Sequence, residues 1–383
     1  MKKGLIFVPI IIFVFVVIIF ILNHNPPSDT NPEGYGNRSV NDSFFGQSLA
    51  DDCDIMFSEY FIDPVYVQKV GQIGVVHGFG KSIVERSYVS IKEEFKNQKI
   101  PIYAPTDMIL VSGSRYKMPG ASEGYIPDYV LKFELGCDVE LVFGHLKDVV
   151  PQISEQIYEL RDDSREINIR PVKFKAGDLI AYYIPQDGGV AGFDFIVRDR
   201  KISNKFLNQA RYDAGFSYNL RSGVCPYDFY SGEKKVAYYE LFGGGGGTLF
   251  KVKSCGFASR DVPGSISGMW FLDKEVKGSI YDYYSDGDYG SPISIVGDEE
   301  RVAIGNLGSK SPVNYFSSNN PSYKLPDEVT VQHCFQILDN FNSNSANGFI
   351  FFKVIDNMTI DVYYSANGSC PATMPASSRR YYK

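Results

Sequence analysis

The tightest constraint on what this chain can fold into is a hydrophobic period of two. Residues 129–135 (YVLKFEL) alternate apolar side chains with charged Lys132 and Glu134, and residues 138–143 (DVELVF) answer them after Gly136 and Cys137. Alternation sends successive side chains to opposite faces, so each run reads as a strand with one buried face, and the short spacer makes the pair a hairpin. Residues 348–355 (GFIFFKVI) and 358–364 (MTIDVYY) form a second pair around Asp356 and Asn357, residue types that accept the positive φ of a two-residue loop. Helical stripes are scarce: residues 150–160 and then 229–242 are the best candidates. The 36 Gly, 20 Pro, 27 Tyr and 28 Phe suit short strands and turns. The predicted class is mainly β.

One segment breaks that pattern. Lys2 and Lys3 precede an unbroken apolar run over residues 4–22, which as a helix at 1.5 Å per residue spans close to the roughly 30 Å of a bilayer core. The run predicts an N-terminal transmembrane helix acting as an uncleaved signal anchor, with residues 1–3 cytoplasmic and the bulk of the chain extracytoplasmic. Residues 23–50 are polar and rich in Pro, Asn, Ser and Gly, as in a disordered tether. All six cysteines, Cys53, Cys137, Cys225, Cys255, Cys334 and Cys370, lie beyond the run, and their even number suits disulfides in an oxidising space. Six cysteines allow 15 connectivities. Proximity in sequence favours Cys225 with Cys255 and Cys334 with Cys370, leaving Cys53 for Cys137. No C-x-x-C occurs, so a structural zinc site is the weaker use of them. Asn37, Asn41, Asn357 and Asn367 each open an N-x-[ST] sequon, compatible with glycosylation outside a cell.

A composition break near residues 199–219 divides the remainder into a β domain at 51–200 and a β-rich domain at 201–383. The formal net charge is -7, with no basic excess to neutralise a phosphate backbone, so no nucleic-acid partner is expected. The glycine run 243–247 lacks the Gly-Lys-Ser/Thr ending of a phosphate loop and reads as a flexible loop. Residues 282–288 (DYYSDGD) lack a full calcium loop and read as a solvated turn. No G-x-S-x-G elbow occurs. Histidine sets a ceiling on metal and acid–base chemistry, because the chain has only His24, His77, His145 and His333.

The order of segments between about residues 74 and 200 resembles the lysostaphin-type zinc endopeptidases. Residues 102–111 (IYAPTDMILV), 129–133 (YVLKF), 141–146 (LVFGHL), 172–181 (VKFKAGDLIA) and 192–198 (GFDFIVR) stand where that family has V-Y-A-P-x-D-G-x-V, a strand pair ending in Y-x-H-L, V-K-x-G-D-x-I-G and H-x-H-F-E-V-R. The resemblance implies a β barrel or sandwich related to the duplicated hybrid motif. Residues 225–229, 254–256 and 261–271 similarly resemble a segment that follows such barrels in uncharacterised envelope proteins. In the family an early H-x-x-x-D and the last His of H-x-H bind zinc, while other histidines handle the attacking water. Carried over position by position, His77 stands for the first ligand, but Lys81 occupies the acidic position. His145 is retained, Gly192 replaces the first His of H-x-H, and Asp194 replaces the ligating one. The candidate metal set is thus His77, His145 and Asp194, with Glu85 as a catalytic base. So depleted a set implies a pseudoenzyme: a non-catalytic peptidase-like barrel, without cofactor, that binds a cell-envelope polymer or surface protein. The alternatives are a divergent zinc metallopeptidase cleaving envelope peptide bonds and a structural surface-layer accessory.

Overall fold

The structure, a computed structural model, describes residues 54–76, 82–118, 124–186, 192–212, 217–243, 254–277, 287–299, 301–308, 313–338 and 346–383. The expected membrane segment and tether, Cys53, His77 and Lys81 lie outside them. No helix among the described residues is long and apolar enough to cross a membrane.

Strands dominate, as the period-two runs require. The first half holds β1 (Val67–Val70), β2 (Val75–Val76), β3 (Ile83–Val84), β4 (Ser87–Ile91), β5 (Ile100–Tyr103), β6 (Met108–Tyr116) and β7 (Asp128–Gly136). It continues through β8 (Val139–Leu146), β9 (Asp148–Val149), β10 (Leu160–Arg161), β11 (Ile167–Phe174), β12 (Leu179–Tyr183), β13 (Gly192–Asp199) and β14 (Gly223–Val224). A nine-stranded sheet runs β1-β4-β13-β8-β7-β6-β10, with β11 also pairing β6 and β14 pairing β13. A three-stranded sheet runs β5-β12-β9. Leu131, Phe133 and Leu135 of β7, Leu141 and Phe143 of β8, and Phe193, Phe195 and Val197 of β13 share one core with Ile100, Ile102, Ile180 and Tyr183 of the small sheet. Of the expected barrel or sandwich, no closed barrel forms among the described residues. The large sheet ends at β1 on one side and at β11 with the two-residue strand β10 on the other, and among the described residues no pairing joins these edges.

Both predicted hairpins are present with shifted turns. Between β7 and β8 the central residues are Cys137 (φ 50) and Asp138 (φ 63), one residue later than the Gly136–Cys137 turn expected. Two positive φ values in succession match the right-handed twist of the strands. The C-terminal hairpin lacks this device, because neither Asn357 nor Met358 has positive φ and the ladder instead shifts register between Val354 and Asp356. The apolar spacing at 150–160 yields only the four-residue helix Pro151–Ser154. Ile153 and Ile157 fill the core, and Leu160 and Arg161 are drawn into pairing with β6. The second helical candidate gives the helix Gly232–Glu240.

The first core extends past residue 200, the expected domain limit: Cys225, Tyr227, Tyr230, Tyr238, Phe242 and Cys255 pack into it. Phe61 lies between Phe195 (centroids 3.9 Å apart) and Tyr238 (5.2 Å), stacked on both. The C-terminal part builds two four-stranded sheets. One is β15 (Gly268–Trp270), β16 (Ile293–Gly297), β17 (Arg301–Gly305) and β18 (Val313–Ser317). The other is β19 (Gln332–Leu338), β20 (Ala346–Asp356), β21 (Thr359–Ser365) and β22 (Arg379–Tyr382). Trp270, Ile293, Ile295, Val302 and Ile304 face Phe335, Ile350, Phe352 and Ile360 across a second core. Met269, Val296 and Ala303 face Val75, Val76, Ile83, Phe206 and Leu220 in a third. A sheet covered on both faces has no wet side, so β16 and β17 are buried almost without interruption instead of alternating. Cys225 pairs with Cys255 and Cys334 with Cys370. Cys137 is also disulfide-bonded.

Candidate functional site

Alternation along β13 decides what the large sheet presents on the side away from the first core. With Phe193, Phe195 and Val197 turned into the core, Asp194 and Arg198 take the opposite face. Asp194 lies opposite Gly144 of β8 and Tyr88 of β4, while Arg198 lies opposite Glu140. The missing side chain at Gly144 is what admits Asp194, since a Cβ there would stand 3.0 Å from Asp194 Oδ2.

A polar chain is built around that carboxylate. Arg86 Nη1 donates to Asp194 Oδ2 at 2.6 Å. His145 Nε2 lies 3.7 Å from the same oxygen, beyond hydrogen-bond reach. On its other side, His145 Nδ1 is 3.0 Å from Asp128 Oδ2. An ionised carboxylate only accepts, so Nδ1 carries the proton in that bond. Tyr125 Oη donates to both Asp128 oxygens, at 3.0 and 2.9 Å, and Lys147 Nζ bonds Asp128 Oδ1 and, at 2.7 Å, Tyr125 Oη. His145, the penultimate residue of β8, has φ 63, a left-handed conformation that non-glycine residues adopt at a cost. Burial works against the charges of Asp128 and Lys147, yet the bonds from His145 and Lys147 hold the Asp128 carboxyl below its ordinary value. For Lys147 burial prevails over Asp128 and lowers the ammonium. Burial likewise opposes the charge on Arg86, but Asp194 and then Glu85 raise it, so the guanidinium is a permanent cation. Burial pushes the phenols of Tyr88, Tyr116 and Tyr125 up, so they stay neutral and act only as hydrogen-bond partners.

Glu85 does not join this chain. Its carboxylate accepts from Arg198 Nη2 at 3.0 Å, and Arg198 also holds Glu140, which takes Lys132 Nζ at 2.7 Å and Arg200 Nη2 at 3.0 Å besides. Burial would raise Glu140, but Arg198 and Lys132 outweigh it and hold the carboxyl below its ordinary value. Glu85, the residue singled out as a catalytic base, is thus engaged by Arg198.

Of the candidate metal set, His145 and Asp194 come together, whereas His77 lies outside the described residues. The described pair is instead engaged by a cation of the chain itself. A guanidinium already occupies Asp194 Oδ2. Among the described residues, no group of three His, Cys, Asp or Glu side chains converges on a point that one metal ion joins. The position of Gly192 is closed as well: a Cβ there would lie 2.1 Å from Val89 O and 2.8 Å from a ring carbon of Tyr88. No side chain, histidine included, enters that space without moving β4.

Sequence reasoning missed Arg86, Asp128, Lys147 and Tyr125. The hairpin itself held a signal for two of them, because a turn centred on Cys137 and Asp138 sets Tyr129 against Leu146 and therefore brings Asp128 beside Lys147. Arg86 gave no signal, since its partner is 108 residues away in sequence.

No protein-family profile matches the chain, and no curated protein does. Among solved structures, the NMR solution structure of lysostaphin is similar over 61% of this chain and 80% of its own, with 14% sequence identity and a TM-score of 0.19. A likeness that loose fixes neither topology nor chemistry.

Proposed function

We propose that this chain is a membrane-anchored, extracytoplasmic envelope protein whose large sheet is a peptidase-like scaffold turned to non-catalytic binding of a cell-surface polymer or protein. The observation that carries it is Arg86 seated on Asp194. A fixed cation at 2.6 Å from the carboxylate takes the role that a metal would otherwise fill, and it leaves the neighbouring imidazole with no activated water to serve. Arg86 keeps 23% of its side chain exposed, which leaves part of it open to a ligand from the solvent side. The paired cysteines support placement in an oxidising space.

A second reading, a divergent zinc metallopeptidase, draws on a single observation: Asp194 Oδ1 is buried without a hydrogen-bond partner among the described residues. One experiment separates the two. The full chain, purified without chelator, is assayed for zinc and for retention on envelope preparations. The binding reading expects less than stoichiometric metal, no peptide release, and retention that weakens on Arg86→Gln. Stoichiometric zinc lost on His145→Ala and Asp194→Ala would establish the peptidase instead.

A further inference from the structure

The tip of the β20–β21 hairpin is apolar where turns are ordinarily polar. Ile355 is 41% and Met358 36% exposed on either side of Asp356 and Asn357. Val331, 69% exposed, joins them, because its carbonyl accepts from Val354 N at 2.7 Å. Val262, also exposed, belongs to the turn whose Gly264 lies against Asn357, with Asn357 Oδ1 3.2 Å from the position a Cβ on that glycine would take. Four exposed aliphatic residues therefore lie on the segments that adjoin Asn357. Single exposed apolar residues need no explanation, but a cluster does. Asn357-Met358-Thr359 is an N-x-[ST] sequon, and Asn357 is itself exposed. The turn is closed without the Asn357 amide, through Met358 N donating to Asp356 Oδ1 at 2.7 Å.

We infer that Asn357 carries an N-linked glycan whose first sugars lie over this aliphatic cluster. A glycan linked at Asn357 would emerge in the middle of the cluster, and the less polar faces of its sugar rings would cover side chains that no part of the described chain covers. The inference rests on the extracytoplasmic placement proposed above. It concerns the far end of the C-terminal sheet and is independent of the binding site. Asn367, beyond the other end of β21, is an exposed sequon with no exposed large aliphatic residue next to it in sequence and serves as the internal control.

The test is peptide mapping of the full chain isolated from its native cells, without reduction, before and after enzymatic deglycosylation. The expected result is a peptide containing Asn357 that shifts to the glycopeptide mass, with the shift lost in Asn357→Gln. Deglycosylation, or Asn357→Gln, is further expected to raise binding of a hydrophobic dye, whereas Asn367→Gln leaves dye binding unchanged. An unmodified Asn357 in a sample whose cysteines are paired overturns the glycan and leaves the placement standing. An unmodified Asn357 with free thiols overturns both. A modified Asn357 whose removal does not alter dye binding overturns the covering role.

Discussion

Replacing Gly192 tests how tightly β4 closes over this position of β13. The Cβ of any other residue would stand 2.1 Å from Val89 O and 2.8 Å from the Tyr88 ring. Carbon and oxygen in ordinary contact sit more than 3 Å apart, so β4 must retreat by about 1 Å along the very strand that pairs with β13 at Gly192–Ser90 and Phe193–Val89. Overpacking of this kind costs about 1–3 kcal/mol, and each ladder hydrogen bond disturbed adds about 1 kcal/mol. Gly192→Ala is therefore expected to lose about 3 kcal/mol, and Gly192→His at least as much. The assay is urea unfolding followed by far-UV circular dichroism, with Gly144→Ala as the graded control. At Gly144 the nearest atoms are the Asp194 side chain at 3.0 and 3.2 Å, so a smaller loss is expected. A Gly192→Ala protein within about 0.5 kcal/mol of the parent would refute the closure of the site, because surface-like tolerance of that size is incompatible with a backbone collision.

Three further outcomes follow from the packing and the charges. Phe61→Ala removes a fully buried ring stacked on Phe195 and Tyr238 and is expected to cost about 3–5 kcal/mol in the same assay. Lys383 is buried with its ammonium on Asp261 (2.5 Å) and Ser267 O (2.7 Å) above the Trp270 ring, so Lys383→Met should cost about 3–5 kcal/mol. Most of that loss should return in Lys383→Met with Asp261→Leu, which no longer strands a carboxylate. Asp128 and Glu140 are held below their ordinary values of 3.8 and 4.5, so the unfolded chain binds protons before the folded one as pH falls. The stability they contribute is whole above about pH 4.5 and drains away as acid reaches the depressed values. A thermal-melt series from pH 6 to 2 should flatten in Asp128→Asn with Glu140→Gln, and an unchanged slope would show that other groups govern acid unfolding.

Legibility followed interaction range. The β7–β8 hairpin was readable because alternation and turn lie within twenty residues, and even its one-residue turn shift has a local cause in Cys137 and Asp138 adopting positive φ. The Cys225–Cys255 and Cys334–Cys370 pairs were readable because short separations favour closure. The absence of a closed barrel was not, since it depends on two edges far apart in sequence, β1 and β11, which do not pair. Nor was the middle C-terminal sheet: the apolar run at β16 is compatible with several buried settings, and only the packing of Val75, Val76 and Ile83 against its second face selects one.

For the site, the sequence invited a count of ligands, whereas the structure turns on a count of cations. Four histidines, two of them outside the β domain, set an upper limit on metal chemistry but said nothing about what neutralises the carboxylates that remained. Asp194 is matched by Arg86, Asp128 by Lys147, and Glu85 and Glu140 by Arg198 with Lys132 and Arg200. Each buried carboxylate of this face has a fixed cation from its own chain. Burying an unpaired charge is costly enough that any scaffold losing an external cation must replace it or lose the acids. Under the proposed reading this explains why the acids persist: they anchor the arginines and lysines that close the face, and removing a cation should harm folding before it changes any ligand. Arg86→Gln removes such a cation, so envelope retention of that variant is measured beside its urea-unfolding free energy, and a loss of retention without a matching loss of stability is the outcome the binding reading expects.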